Sequence, residues 1–148
     1  MALFSFRLQR LLKYRCSQSE EDQKELVRRR WRLAEEASKT ARLEAELGYA
    51  AEQWRKQSRA AELNLHLLEL SSEYFRWVNR SLGEQRELEF ESSRLVEEQE
   101  ETAYRSWRRR RVLELLQERA RGEHGRQEKL KERRFLDEVT LYSFNRRD

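Results

Sequence analysis

Two histidines, one cysteine and 28 carboxylates are the side chains of this sequence that could hold a metal or move a proton. A metal site draws its ligands from residues a few positions apart on one turn or loop. His66 and His124 are far from each other in the chain, and Cys16 is isolated from both. General acid or base work needs a carboxylate in a dry, concave pocket that perturbs its ionisation. The carboxylates here alternate instead with 32 basic residues, as they do on solvated helix faces. No glycine-rich loop is present to cradle a phosphate. His124, bracketed by Gly122 and Gly125 and beside Glu123, reads as a surface residue. The expectation is a protein that is not an enzyme, with no metal site and no cofactor.

The other chemistry on offer is phosphate binding. Arg28-Arg29-Arg30-Trp31-Arg32 and Trp107-Arg108-Arg109-Arg110-Arg111 pair guanidinium groups with an indole. Such runs can grip a nucleic-acid backbone and stack on bases. Glutamates flank both: Glu20, Glu21, Glu25, Glu35 and Glu36 around the first, and Glu97, Glu98, Glu100 and Glu101 before the second. In an antiparallel hairpin turning near the middle of the chain, residue 30 faces about residue 100, and residue 109 about residue 20. Each basic run then meets an acidic one, which also fixes the alignment because like charges in the wrong register repel. Nucleic-acid binding is the weaker reading.

The elements that carry these residues follow from composition and spacing. Charged residues make up 41% of the 148, apolar residues 37%, and proline is absent. This mixture suits long solvated helices; a disordered chain is the rival, against which the sustained apolar spacing argues. The lone cysteine excludes an intrachain disulfide and fits a reducing compartment. No apolar run is long enough to cross a bilayer, and Met1 to Phe6 is too short for a secretory signal.

In the first half one heptad register runs through Leu12, Ser19, Leu26, Leu33, Thr40, Leu47, Trp54, Ala61 and Leu68, with Leu8, Arg15, Asp22, Arg29, Glu36, Leu43 and Ala50 as companions. That is a weak coiled-coil strand. The basic, amphipathic residues 1–19 could alone be a membrane-surface helix or a presequence, but the unbroken register makes them the first turns of this helix. Residues 57–73 lose the pattern; Ser58, Asn64, Ser71 and Ser72 are the cap and turn candidates there, and the turn is expected between about Ser58 and Asn64, with Ser71-Ser72 as the alternative. In the second half Leu88, Leu95, Leu116 and Leu130 share one register, with Thr102, Arg109 and Glu123 filling the missing turns. The expected seam of the second helix follows these leucines, best packed at Val112, Leu113, Leu116 and Ala120. Tyr74, Trp77 and Val78 are expected to face the first helix together with Leu70 and Ser81. Phe75 and Leu82 then form an exposed strip, and an exposed apolar strip usually marks a binding surface. Gly122 and Gly125 predict a weak or kinked point, and VTLYSFNRRD a tail that frays.

The expected fold is all-α: a long antiparallel two-helix coiled-coil hairpin, single and elongated over residues 1–148. Its first helix covers about 3–57, the turn region about 58–66, the second helix about 67–138 and the tail 139–148. A helix of some 55 residues is about 80 Å long, an object suited to a scaffold, spacer or shaft.

Three stretches resemble one family, that of the flagellar export protein FliJ, with its YscO-like relatives in type III secretion. Phe4-Ser5-Phe6-Arg7-Leu8-Gln9-Arg10-Leu11-Leu12-Lys13-Tyr14-Arg15 resembles the family's opening. Tyr74-Phe75-Arg76-Trp77-Val78-Asn79-Arg80-Ser81-Leu82, followed by Gln85, resembles the start of its second helix. Glu128 to Glu138, ending Leu136-Asp137-Glu138, resembles its closing run. The resemblance implies a non-enzymatic stalk that inserts into the hexameric ring of an export ATPase and stimulates it. It also implies contact with the cytoplasmic domain of the export-gate membrane protein, and with export chaperones. The gate contact would fall on Tyr49, Gln53 or Trp54, Phe75, Asn79, Leu82 and Arg86. The ring contact would fall on Phe4, Leu8, Arg10, Lys131, Arg134, Asp137 and Glu138. The family works in the cytoplasm, peripheral at the inner membrane's cytoplasmic face, without inserting into it, and the free protein is expected to be a monomer. A generic coiled-coil scaffold, in which the same seam pairs two chains, is the alternative.

Overall fold

The computed structural model describes residues 3–145, the last of them by its backbone alone. Met1, Ala2 and the end of the expected tail, 146–148, lie outside the described residues. Two long helices, α1 (Gln9–Ser58) and α2 (Leu65–Asn145), pack against each other as an antiparallel hairpin. The chain divides into two compact units. One joins the residues up to Glu21 with those from Tyr104 onward, and the other is Asp22–Ala103.

The helix ends follow local chemistry. α1 starts at Gln9 rather than near residue 3, and its first turn holds no acidic residue. With Arg7 and Arg10 against the positive end of the helix dipole, an earlier start is unfavourable. The backbone enters through a turn instead, in which Gln9 N–H donates to the Phe6 carbonyl at 3.0 Å. At the other end Ser58 Oγ donates to the Arg55 carbonyl at 3.0 Å and the Arg59 N–H donates to it at 3.2 Å. Arg59 to Asn64 make the link. Asn64 caps α2: its Oδ1 accepts from the Leu67 N–H at 3.2 Å, one of the donors a helix start leaves unpaired. α2 then continues through residues 139–145, where the sequence suggested a frayed tail. Val139 and Thr140 carry only tenths of a kcal/mol of propensity penalty, and no glycine or proline stops the helix there. Thr140 Oγ1 donates back to the Leu136 carbonyl at 2.7 Å. Gly122 and Gly125 lie within α2, and no described residue has a positive φ.

In the unit Asp22–Ala103, the α1 side of the seam is the expected one as far as Ala50, beyond which Trp54, placed in the register, is exposed. Leu26, Leu33, Leu43 and Leu47 are half-buried, and Thr40 and Ala50 are buried. The α2 side differs from expectation. The residues turned inward are Phe75, Val78, Leu82, Gln85, Glu89, Ser92, Val96, Gln99 and Ala103, a regular alternation of three and four. Val78 is 0% and Leu82 3% exposed, whereas Leu88 is 52% and Leu95 39% exposed. The expected leucine row thus stands one residue outside the seam, and Leu70, Tyr74 and Trp77 are exposed as well. Heptad spacing states which residues share a face, not which face the partner takes. Here the inner face mixes Val78, Leu82 and Val96 with small and amide side chains, and the glutamines reach the opposite backbone. Gln99 Nε2 donates to the Asp22 carbonyl at 3.0 Å, and Gln85 Nε2 to the Glu36 carbonyl at 3.3 Å as well as to its carboxylate. Arg29 donates from α1 to the Leu95 carbonyl at 3.0 Å. Each satisfied bond is worth about 1 kcal/mol net, but losing one partner strands a desolvated group.

The unit containing both termini repeats the pattern. Leu12 and Ser19 of α1 are buried against a seam in which Ser106 and Leu113 are buried and Gln117, Ala120 and His124 half-buried. Leu116 and Val112 are exposed, again outside the expected face. Gln117 Nε2 donates to Gln9 Oε1 at 2.7 Å. The Ser19 hydroxyl is fully buried with no hydrogen-bond partner.

The charge runs are paired in a different proportion from that expected. Arg30 meets Glu100 at 2.7 Å and Arg86 meets Glu44 at 2.8 Å, both across the hairpin. Arg29 pairs with Glu25, Arg110 with Glu114, and Arg111 with Glu114 and Glu118, all along their own helices. Neighbours one turn away are within reach without any tertiary alignment.

Candidate interaction surfaces

Near the link, α1 and α2 bring together most of the residues assigned to the gate contact. Tyr49 and Trp54 are exposed on α1, and Asn79 and Arg86 on α2. Arg86 is not free, since Glu44 holds its guanidinium. Phe75 is half-buried. Leu82 is the exception: at 3% exposure it belongs to the seam and cannot touch a partner. Its seven-residue spacing from Phe75 suggested an outer strip, and that strip turns out to be the inner face. What faces outward is Tyr74 and Trp77, whose rings stack at 6.1 Å and 24°. The Tyr-x-x-Trp spacing was a readable signal for such a pair, because residues three apart are neighbours on a helix.

Two hollows flank the seam here. One, of about 410 Å³, is lined by Ala51, Trp54, Arg55, Ser72, Phe75 and Arg76. The other, of about 220 Å³, is lined by Tyr49, Ala50, Gln53, Gln57, Leu70, Ser71 and Tyr74. Ser71 Oγ donates both to Gln57 Oε1, across the hairpin, and to the Leu67 carbonyl, fixing the floor of the second hollow. Sequence reasoning missed Arg55 and Arg76, because a lone arginine on a charged helix has no distinguishing pattern.

Near the chain termini, the residues assigned to a ring contact divide into two kinds. Phe4 and Leu8 are half-buried and hold the first residues onto α2. The Phe4 ring meets His124 edge-on at 5.7 Å, and the Arg121 guanidinium lies over it at 5.7 Å. Arg10, Lys131, Arg134, Asp137 and Glu138 are exposed. Lys131 pairs with Glu128 at 2.9 Å, and that hydrogen bond holds the Glu128 carboxyl below the usual range. Beyond Gly125, α2 carries Leu130, Phe135, Leu136, Val139, Leu141, Tyr142 and Phe144, all exposed. The exposed Tyr104 and Trp107 stack at 6.0 Å, with Arg108 5.9 Å from the Tyr104 ring.

The titratable groups are surface pairs rather than reactive sites. The Arg110 hydrogen bond, then that of Arg111, lowers the Glu114 pKa. Arg29 does the same for Glu25. Lys39, then Gln85, lowers that of Glu36. Among the described residues no group of three His, Cys, Asp or Glu is placed to hold a metal, and no helix is long and apolar enough to cross a membrane. The arrangement offers apolar and charged surface to other proteins.

Compared with known proteins, residues 4–148 match the family model described as the flagellar FliJ protein. No curated protein and no solved structure matches the chain.

Proposed function

The chain belongs to the flagellar FliJ family, and from that membership we propose that it is the stalk of the flagellar export apparatus. Membership makes it a non-enzymatic coiled-coil component of flagellar protein export. In the proposed role, the residues near the termini enter the ring of the hexameric export ATPase and stimulate it. The residues near the link meet the cytoplasmic domain of the export gate. The protein is then cytoplasmic and peripheral at the inner face of the membrane, a monomer when free, and a carrier for export chaperones.

The observation that carries this reading is the apolar content of α2 beyond Gly125. A solvated helix end has no use for Phe135, Leu136, Tyr142 and Phe144, all exposed. Covering one such side chain is worth about 1.5–3 kcal/mol, so a surrounding protein surface gains from binding there. Arg134, Asp137 and Glu138 set charges of both signs around them, which favours one orientation of docking. At the link-proximal surface Tyr49, Trp54, Phe75, Asn79 and Arg86 form the proposed gate contact, with Leu82 holding it from behind. The direct experiment measures ATP hydrolysis by the cognate export ATPase with and without the folded protein. A rise in rate is expected, and an unchanged rate rejects the stalk role. A second reading, self-association, draws on the exposed Leu88 and Leu95 at heptad spacing. Light scattering separates the two, since a dimer doubles the mass.

A further inference from the structure

The larger hollow near the link has an uneven chemistry. Trp54, Phe75 and Ala51 give it apolar walls, while Arg55 and Arg76 stand at it with exposed side chains, one from each helix. Glu52 and Glu73 sit three residues before Arg55 and Arg76, the spacing at which Glu25, Glu36 and Glu128 form their own ion pairs. Neither is bonded to its arginine, and no described carboxylate pairs with Arg55 or Arg76. Two guanidinium groups with no carboxylate partner, one from each helix, thus stand beside an apolar-walled volume of about 410 Å³. The hollow across the seam shows the contrast. Its lining of Tyr49, Gln53, Gln57, Ser71 and Tyr74 carries no charge.

We propose that this hollow receives an apolar side chain from an acidic segment of a partner protein, with carboxylates on either side of that anchor taken by Arg55 and Arg76. A guanidinium offers a planar fork of donors that matches a carboxylate, and it can lie against an aromatic wall while doing so. An anchor buried between Trp54 and Phe75 excludes water from the flanking ion pairs and strengthens them. A basic or neutral segment would leave both arginines facing like charge or nothing. The assignment of that segment to the cytoplasmic domain of the export gate rests on the function proposed above. The chemistry of the hollow does not.

Two measurements separate these. In the first, the labelled full-length protein is titrated with the blocked peptide Glu-Leu-Phe-Glu and, separately, with Lys-Leu-Phe-Lys, following the Trp54 indole and the Arg55 and Arg76 side-chain N–H resonances. The acidic peptide is expected to shift them saturably with a Kd of about 1 mM, the order reached by short flexible ligands. The lysine peptide is expected to leave them in place, and the shifts should vanish in Arg55→Glu/Arg76→Glu. No shift with the acidic peptide, or equal shifts with both, overturns the proposal. In the second, the gate's cytoplasmic domain is bound to the wild type, to the double charge reversal and to Arg55→Lys/Arg76→Lys. Reversal is expected to weaken binding about tenfold, and the lysine pair by no more than about threefold. Equal binding by wild type and reversal variant overturns the gate as the source of the segment. If the wild type binds no gate domain while the peptide shifts stand, the gate reading fails and the hollow's chemistry survives. All three proteins must show the same helical circular dichroism, which the exposure of both arginines makes the expected result.

Discussion

Leu82 and Leu88 are the same residue type six positions apart on one helix, and their environments are opposite. Leu82→Ala should cost about 2–3 kcal/mol, because it opens a cavity between Val78 and the first helix in a seam with little other hydrocarbon. Leu88→Ala should change stability by less than about 0.5 kcal/mol. Urea midpoints of the two variants check this, and equal losses would mean that both leucines face the seam. The contrast also shows why sequence reasoning misassigned both residues. Apolar character was counted as evidence of burial, whereas the inward face alternates Val78, Leu82, Val96 and Leu113 with Gln99, Ala103 and Ser106, side chains short or flexible enough for close helix approach. Arg55 and Arg76 were illegible for a related reason: what distinguishes them is their place at one hollow, which depends on how the two helices pair.

At the scale of the helices, α1 was legible along most of its register, though Trp54, which the pattern put in the seam, is exposed, and Ala61 lies in the link. Leu12, Ser19, Thr40 and Ala50 are buried where the heptad pattern put them, since a register with few competing apolar residues leaves one choice. α2 offered two registers one residue apart, and the leucine-rich one lost. Both helices hold glycines whose absent Cβ would meet nothing within 4 Å. Gly48→Ala and Gly83→Ala should therefore each stabilise by about 0.5–1 kcal/mol, through helix propensity and a less flexible unfolded chain. A gain in thermal midpoint for the double variant is the expected outcome, and a loss would reveal close packing there. The helices also depend on ion pairs whose pH response has a definite sign. Glu25, Glu36, Glu114 and Glu128 have pKa values below the ordinary 4.5, so their folded forms bind protons less readily than the unfolded chain. That stabilisation is complete above pH 4.5 and is lost as the pH falls through the lowered values. Lys39, raised above 10.5 chiefly by its Glu36 hydrogen bond, contributes below that pH and loses its share only in strong base. A thermal midpoint flat from pH 5 to 8 and falling below pH 4.5 is expected, while a midpoint that rises on acidification would contradict it.

For the molecule as a working part, the decisive variants leave its fold intact and alter its exterior. Phe135→Glu/Leu136→Glu should keep the helical circular dichroism, because both side chains are exposed. The same pair should abolish most of the stimulation of the export ATPase, since two apolar contacts of about 1.5 kcal/mol or more each are removed. Stimulation at the wild-type level would move the ring contact elsewhere. The family was legible from the three motifs, which lie near the start, the middle and the end of the chain. The partner surfaces were only partly so, because a helix with charge on every face does not declare which face is spoken for.

The polar seam has a thermal consequence. Seven buried apolar side chains form the described core, accompanied by Ser19, Thr40, Gln99 and Ser106. Heat capacity rises on unfolding in proportion to newly wetted hydrocarbon and falls with newly wetted amide. This chain has little of the first to expose, while its two long helices uncover a peptide group at nearly every residue. Calorimetry should give a heat-capacity increment well below the usual figure of about 12–15 cal/mol/K per residue. Stability would then vary only gently with temperature, so that the hairpin stays paired in the cold about as firmly as in warmth.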